Sequence, residues 1–417
     1  MLDAIDNENC VECQAGTTGA ARRRPHAGWA VAALLAALAL QACGGGGGSS
    51  SASVDSPQET APPESNEWRW DLPTGFSEPV VPADNPMSAA KVQLGRSLFH
   101  DVRLSGNGTQ SCASCHAQES AFTDNRALAR GSTGEVHPRN AQPLANVAWN
   151  TTLTWANPNE RTLEHQMLTP LFGTNPVELG VNDGNRAEVL ERLASDASYP
   201  RLFKSAFPAQ DDPVNWDNII KAIAAFERTL ISADSRYDRS AAGQESLTEQ
   251  EARGMRLFFG DQAKCSQCHG SPNFNDQFST AAHLQTAPAF HNTGLFNMNG
   301  TGGYPEPNRG VFEITGIAQD MGAFRAASLR NIELTAPYMH DGSIGTLQAV
   351  LDFYADGGRN VGNGLYAGDG RLNPYKDPRI SQISLSDQDK ADLLAFLKTL
   401  TDTGFVTNPA FAAPDAD

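Results

Sequence analysis

Cysteine is scarce, with 7 residues in a chain of 417. Four of them fall in two short clusters, and Cys10, Cys13 and Cys43 all precede the stretch of globular composition. No thiol is left over there for a structural disulfide. Positive charge is in deficit: 31 Lys and Arg stand against 48 Asp and Glu, for a net charge of −17. This argues against nucleic acid and against a polyanionic membrane surface as partners, and it suits a cationic one. The apolar run from Ala27 to Leu40 is too short for a comfortable membrane span. Alternating apolar and polar stretches that would mark half-buried strands are missing.

What is present is a repeated pentapeptide. Cys112-Ala-Ser-Cys115-His116 and Cys265-Ser-Gln-Cys268-His269 share one pattern. CxxCH is the attachment signal of a c-type haem: both thiols add to the vinyl groups, and the following imidazole sits beneath the iron. A zinc site would use the two cysteine pairs without needing a histidine after each. Two covalently bound haem c groups are therefore expected, with His116 and His269 as proximal iron ligands.

Residues 1–43 read as an export signal, with Arg22-Arg23-Arg24 ahead of the apolar run. It ends in Leu40-Gln41-Ala42-Cys43, which resembles a bacterial lipobox. The expectation is lipidation of Cys43, with simple cleavage as the alternative. No function is assigned to Cys10 or Cys13. Residues 44–67 are rich in Gly, Ser, Pro and Glu and read as a disordered tether. The body divides into haem domains at 68–240 and 241–405, followed by a tail at 406–417.

Each domain follows one plan. Pro86 to Phe99 reads as a helix that places Leu94, Leu98 and Phe99 on one face, ahead of the first motif. Thr248 and Glu251 can form a capping box for the helix that carries Gly254-Met-Arg-Leu-Phe258, ahead of the second. Trp216 to Ile231 reads as a strong helix closing the first domain, with Asp234 to Gln244 as linker. Ser386 can cap a last helix that runs to Leu400 and buries Leu393, Leu394, Leu397 and Leu400. The expected fold is mainly α: two cytochrome c-like haem domains with long loops.

These motifs occur in an order that resembles the bacterial dihaem cytochrome c peroxidase and MauG superfamily over about residues 80–400. The resemblance rests on Leu94-Gly-Arg-Ser-Leu-Phe99, Asp101-Val-Arg-Leu-Ser105, Phe122-Thr-Asp124, Pro138-Arg-Asn140, Ser328-Leu-Arg-Asn331 and Pro337-Tyr-Met-His-Asp-Gly342, besides the two haem motifs. Thr154-Trp-Ala-Asn-Pro158 and Pro170 to Gly180 look most like the MbnH branch, whose enzymes oxidise tryptophan in a partner protein.

The resemblance implies a division of labour. The first haem would be peroxidatic and the second would transfer electrons. Gln166 and Glu178 match the distal pair at the first haem, with a spacing two residues longer here from Phe172-Gly173. Pro170 would shape the same pocket. A carboxylate beside bound peroxide moves a proton between the oxygens and so promotes O–O cleavage. His100, His137 and His165 are the candidate distal ligands. The reading favours an open first haem and leaves His137 as either a ligand or an ordinary loop residue. At the second haem the family's ligand lies fourteen residues beyond His340, at Tyr354, where peroxidases of the family carry Met and MauG carries Tyr. Met298, Met321, Met339 and His340 are the competitors. Tyrosinate stabilises oxidised iron better than a thioether does. Trp155 matches a tryptophan between the haems. Asn140, Thr335 and Pro337 match a calcium site of one side-chain oxygen and two carbonyls.

The leading expectation is an exported dihaem oxidoreductase on the periplasmic side, anchored by lipid in the outer membrane. It would use hydrogen peroxide to form high-valent haem iron and oxidise a partner protein at tryptophan. One alternative is a cytochrome c peroxidase fed electrons by a small cytochrome. The other is a tethered electron carrier with no enzymatic activity.

Overall fold

The computed structural model describes residues 68–414. The expected export signal, Cys43 and the tether lie outside them. Helix α1 (Ala89–His100) starts where Ser88 Oγ accepts the Lys91 N–H at 3.2 Å. The short α2 (Leu163–Gln166) is capped by Thr162. Helix α3 (Trp216–Glu227) is capped by Asn215 and stops short of the Ile231 that periodicity suggests. Thr229 ends it: its N–H and its hydroxyl both turn to the Phe226 carbonyl, at 2.8 and 2.7 Å. Helix α4 (Glu249–Phe259) has the expected Thr248–Glu251 capping box.

Helix α5 (Leu347–Ala355) starts at Thr346, and α6 (Asp387–Lys398) has a box of Ser386 with Asp389. Helix α7 (Thr403–Thr407) is the last. The one sheet among the described residues pairs β1 (Asn360–Val361) with β2 (Gly368–Asp369), antiparallel. The fold is mainly α with long loops, as the missing strand pattern predicts. No helix among the described residues is long and apolar enough to cross a membrane.

The two haem-motif regions are built alike. In each, the helix before the motif crosses another helix at a glycine. A Cβ on Gly95 of α1 would lie 1.9 Å from the Ala222 carbonyl oxygen of α3. A Cβ on Gly254 of α4 would lie 1.9 Å from the Asp392 carbonyl oxygen of α6. No real contact is that short, so glycine is what lets these backbones meet. Leu94, Leu98 and Phe99 then bury into one core with Ile219, Ile223 and Phe226. Phe258 buries into a second with Leu393, Phe396, Leu397 and Leu400, while Leu394 is only partly covered.

Two segments tie the halves together. The stretch read as a linker carries a short helix, Arg236–Ala241, boxed by Ser235 and Asp238. Asp238 also receives Arg330 at 2.7 and 3.0 Å. The Arg330 guanidinium is buried, donates to the Pro272 carbonyl and lies 5.5 Å from the rings of Phe76 and Phe274. The end of the chain returns to the first core. Phe405 and Phe411 pack on Phe122 at 5.4 and 6.4 Å, and Arg96 donates to the Ala412 carbonyl at 2.7 Å.

Gly95→Ala and Gly254→Ala should each destabilise the haem-loaded protein by about 1–3 kcal/mol, the range for overpacked cores. Denaturant unfolding checks this. A loss below about 0.5 kcal/mol, the ordinary surface scatter, would mean that the helices part freely.

Candidate haem sites

The proximal side of each site is prepared by the backbone. His116 Nδ1 faces the Phe122 carbonyl at 2.9 Å, and His269 Nδ1 faces the Phe274 carbonyl at 3.1 Å. A carbonyl only accepts, so each Nδ1 carries the proton and each Nε2 presents a lone pair. Burial also lowers both imidazoles below their ordinary pKa, so they stay neutral and can bind a metal. The two phenylalanines adopt left-handed backbone at φ 62° and 51°, which bulky residues rarely do. Their rings are fully buried, and that packing holds the conformation.

The four thiols are present as free cysteines beside these histidines. Burial pushes Cys115 up to about 11 and Cys265 up to about 12, and raises Cys112 further. They are not activated thiolates. Cys268 also lies with Asp276 and His291 in a cluster that could hold a metal ion. His291 is saturated by Asp276 at 2.6 Å and Asp377 at 2.9 Å, and Cys268 belongs to the attachment motif, so the cluster reads as the wall of a haem site.

Beside Cys265, Cys268 and His269 lies a cavity lined by Trp155, Arg325, Met339, His340 and Tyr354. Met298 and Met321 do not line it. The cavity asks for a group with negative charge. Arg325 donates to the Thr152 carbonyl and to Gln142 Oε1, yet among the described residues its Nε has no partner and no carboxylate lies within ion-pair distance, Asp276 acting only through its more distant charge. Burial lowers it to about 10. A haem, apolar with two carboxylates, fits this lining. His340 stacks on Phe324 at 3.6 Å, with Nε2 unpartnered. Tyr354 comes from α5. Burial raises its phenol first, and the nearby thiols add to that. A tyrosinate here therefore requires a cation beside it.

At the first site Glu178 sits on a loop pinned from both sides. Ser132 donates to the Glu178 carbonyl at 2.7 Å, and the Leu179 N–H donates to the Pro170 carbonyl at 2.9 Å. The Glu178 charge is close enough to raise Cys112, Cys115 and His116. Gln166 is half-buried at the end of α2, and no direct hydrogen bond joins it to Glu178. The three histidines separate. His100 Nε2 meets the Phe411 carbonyl at 2.9 Å. His165 is largely exposed and pairs with Glu160 at 2.6 Å. Only His137 approaches Glu178, at 3.4 Å.

The next residues join the two sites. The Asn140 N–H donates to the His340 carbonyl and the Trp155 Nε1–H donates to the Asn140 carbonyl, both at 2.8 Å. The Asn140 side chain donates to the Arg126 carbonyl at 2.6 Å, which leaves Oδ1 as an acceptor. Asn140, Thr335 and Pro337 line the same cavity as Trp155.

Sequence reasoning missed Arg325 and Glu227. Glu227 is buried on α3, and burial raises its carboxyl to about 8. It lies close enough to Cys112 for its charge to raise that thiol, which puts it near the first site. A glutamate within the apolar run of α3 was the available signal.

Residues 89–246 match the family model of di-haem cytochrome c peroxidase. The chain is 33% identical over 320 residues to the methylamine utilization protein MauG of Methylorubrum extorquens, covering 76% of this chain and 80% of that one. It is 35% identical over 351 residues to a cytochrome c peroxidase of Denitromonas iodatirespirans, covering 79% and 87%. A crystal structure of a MauG-like protein associated with microbial copper homeostasis aligns at 55% identity and a TM-score of 0.82, covering 84% of this chain and 99% of that one.

Replacing Cys112 and Cys115 together by Ala should halve the haem that survives denaturation of the exported protein. Pyridine haemochrome spectra of denatured samples read this directly, and unchanged content would remove the first attachment site.

Proposed function

This chain belongs to the di-haem cytochrome c peroxidase and MauG family, whose members are peroxide-dependent oxidoreductases carrying two haems, and from that premise we propose that it oxidises a partner protein at tryptophan. The carrying observation is Tyr354, whose ring lines the second haem cavity beside His269. A phenolate ligand there stabilises oxidised iron, which suits an enzyme that stores oxidising power until a partner docks. The likeness to the MauG-like copper-homeostasis protein supports the same branch. Family membership displaces the reading of a mere electron carrier.

When bound, haem supplies an iron that reduces peroxide and stores the oxidising equivalents. The residues do the rest. Glu178 takes a proton from one peroxide oxygen and returns it to the departing oxygen. Gln166 orients the peroxide, and Pro170 shapes the loop that carries Glu178. Trp155, held through Nε1 by the Asn140 carbonyl, places a π-system between the sites. Asn140 Oδ1 with the Thr335 and Pro337 carbonyls forms a calcium site, since hard oxygen donors suit that ion. His116 and the residues around it, over 68–240, form the peroxidatic domain; 241–405 form the electron-transfer domain. The protein works on the periplasmic side, tethered to the outer membrane through a lipid on Cys43. Because the partner donates electrons through space, neither iron needs a substrate pocket.

A second reading, peroxidase activity fed by a small cytochrome, is favoured by one observation: Met339 lines the same cavity and offers a thioether.

Low-temperature spin resonance should lose one low-spin signal in Tyr354→Phe, which removes the oxygen and keeps the ring. An unchanged spectrum would pass the ligand role to Met339.

Stoichiometric peroxide added to the diferric protein, without reductant, should produce a long-lived oxidised state. Glu178→Gln should form it at least about 100-fold more slowly, as expected for lost proton transfer. If the diferric protein ignores peroxide, and one-electron reduction restores turnover with a small cytochrome, the peroxidase reading replaces partner oxidation.

A further inference from the structure

The turn that carries His137 selects one tautomer of its neutral ring. Its Nδ1 accepts the Arg139 N–H at 3.2 Å. In a neutral imidazole the proton must then sit on Nε2. That nitrogen faces Glu178 Oε1 at 3.4 Å. The distance is that of an ion-pair contact, longer than a finished hydrogen bond.

The turn itself is held on both sides. The His137 N–H donates to the Ala129 carbonyl at 2.8 Å. The Arg139 guanidinium binds Glu313 at 2.8 Å and Asn308 at 3.0 Å, and lies 5.8 Å from the Phe324 ring. Asn140 continues to His340 and Trp155. His137 therefore reaches Glu178 with little freedom left to lose.

We propose that His137 is a positioning residue for Glu178: Nε2–H donates to the carboxylate and aims it at the first haem, and His137 is not an iron ligand. Ligation through Nε2 would need the proton moved to Nδ1, where it would face the Arg139 N–H, donor against donor. The inference rests on the proton-accepting role proposed for Glu178. Other groups near this carboxylate are His116 and the attachment thiols Cys112 and Cys115, and the Glu135 carboxylate accepts the neighbouring Val177 N–H at 2.9 Å. None replaces His137 as a donor to Glu178: His116 gives its proton to Phe122, the thiols are spent on haem attachment, and a carboxylate only accepts.

Two measurements on the haem-loaded ferric protein test this, and neither is turnover. The first is low-temperature spin resonance. The second is association of cyanide with the first haem, since hydrogen cyanide must give up its proton to bind and Glu178 is the acceptor. His137→Ala should leave the spin states unchanged and slow cyanide association about tenfold, the equivalent of one charge-assisted hydrogen bond. His137→Gln, whose amide can still donate, should return the rate to within about threefold of the parent. If His137→Ala takes up no haem, His137→Leu keeps the bulk and gives the same comparison.

Conversion of a low-spin signal to high spin in His137→Ala would make His137 a ligand and overturn the proposal. So would equal rates in the Ala and Gln variants, which mean packing alone. Glu178→Gln separates the two levels. If it leaves cyanide association unchanged, the proton-accepting role of Glu178 fails and the inference falls with it. If it slows association while His137→Ala does not, only the inference fails.

Discussion

Each haem site depends on one hydrogen bond, from the proximal histidine to the carbonyl of a left-handed phenylalanine. The bonds from His116 to Phe122 and from His269 to Phe274 choose the tautomer and aim the ring. A carbonyl can do this only if its peptide is held, and the left-handed conformation has to be stabilised from outside. Ring packing provides that support. Phe122 lies against Phe99, Phe405 and Phe411. Phe274 lies against Tyr237, Phe258 and Phe396. The helix crossing at Gly95 brings in Phe99 and that at Gly254 brings in Phe258 and Phe396, so a backbone contact far from the motif helps to fix the ligand.

The shared scaffold carries two different sites. Around the second motif the wall is largely apolar, with Arg325 buried in it and a phenol from α5. Around the first motif the chemistry is acidic, with Glu178 on a pinned loop and Glu227 buried with its carboxyl raised. That contrast suits the proposed division between peroxide chemistry and charge storage. The turn from His137 to Asn140 lies between them. It approaches Glu178 at one end and holds Trp155 and His340 at the other.

Much of this was legible beforehand. CxxCH names its own cofactor because the chemistry needs two thiols and an imidazole in fixed sequence, a local requirement. The helices after Thr248 and Ser386 were legible for the same reason, since a cap and an apolar stripe lie within one short window; the first helix was read from its stripe alone, from Pro86, and starts instead at Ala89 behind the Ser88 cap. The early end of α3 at Thr229 was not, because apolar periodicity continues to Ile231 while a hydroxyl competes for the Phe226 carbonyl. The segment from Asp234 to Gln244 looked like linker because its helix is short and polar, and its support, Arg330, comes from far along the chain.

The amino-acid order by itself determined the mainly helical class and the family, and it singled out the two CxxCH motifs with their histidines, since each rests on residues adjacent in the chain. Tertiary structure alone decided which of three histidines meets Glu178, which methionine enters the second cavity, and that a buried Arg325 waits there for negative charge. It also decided that the final residues support Phe122 and, through it, His116. These are contacts between segments up to about 300 residues apart, and no local spacing encodes them. They exist because burial and hydrogen bonding are satisfied jointly, once the chain has closed on itself.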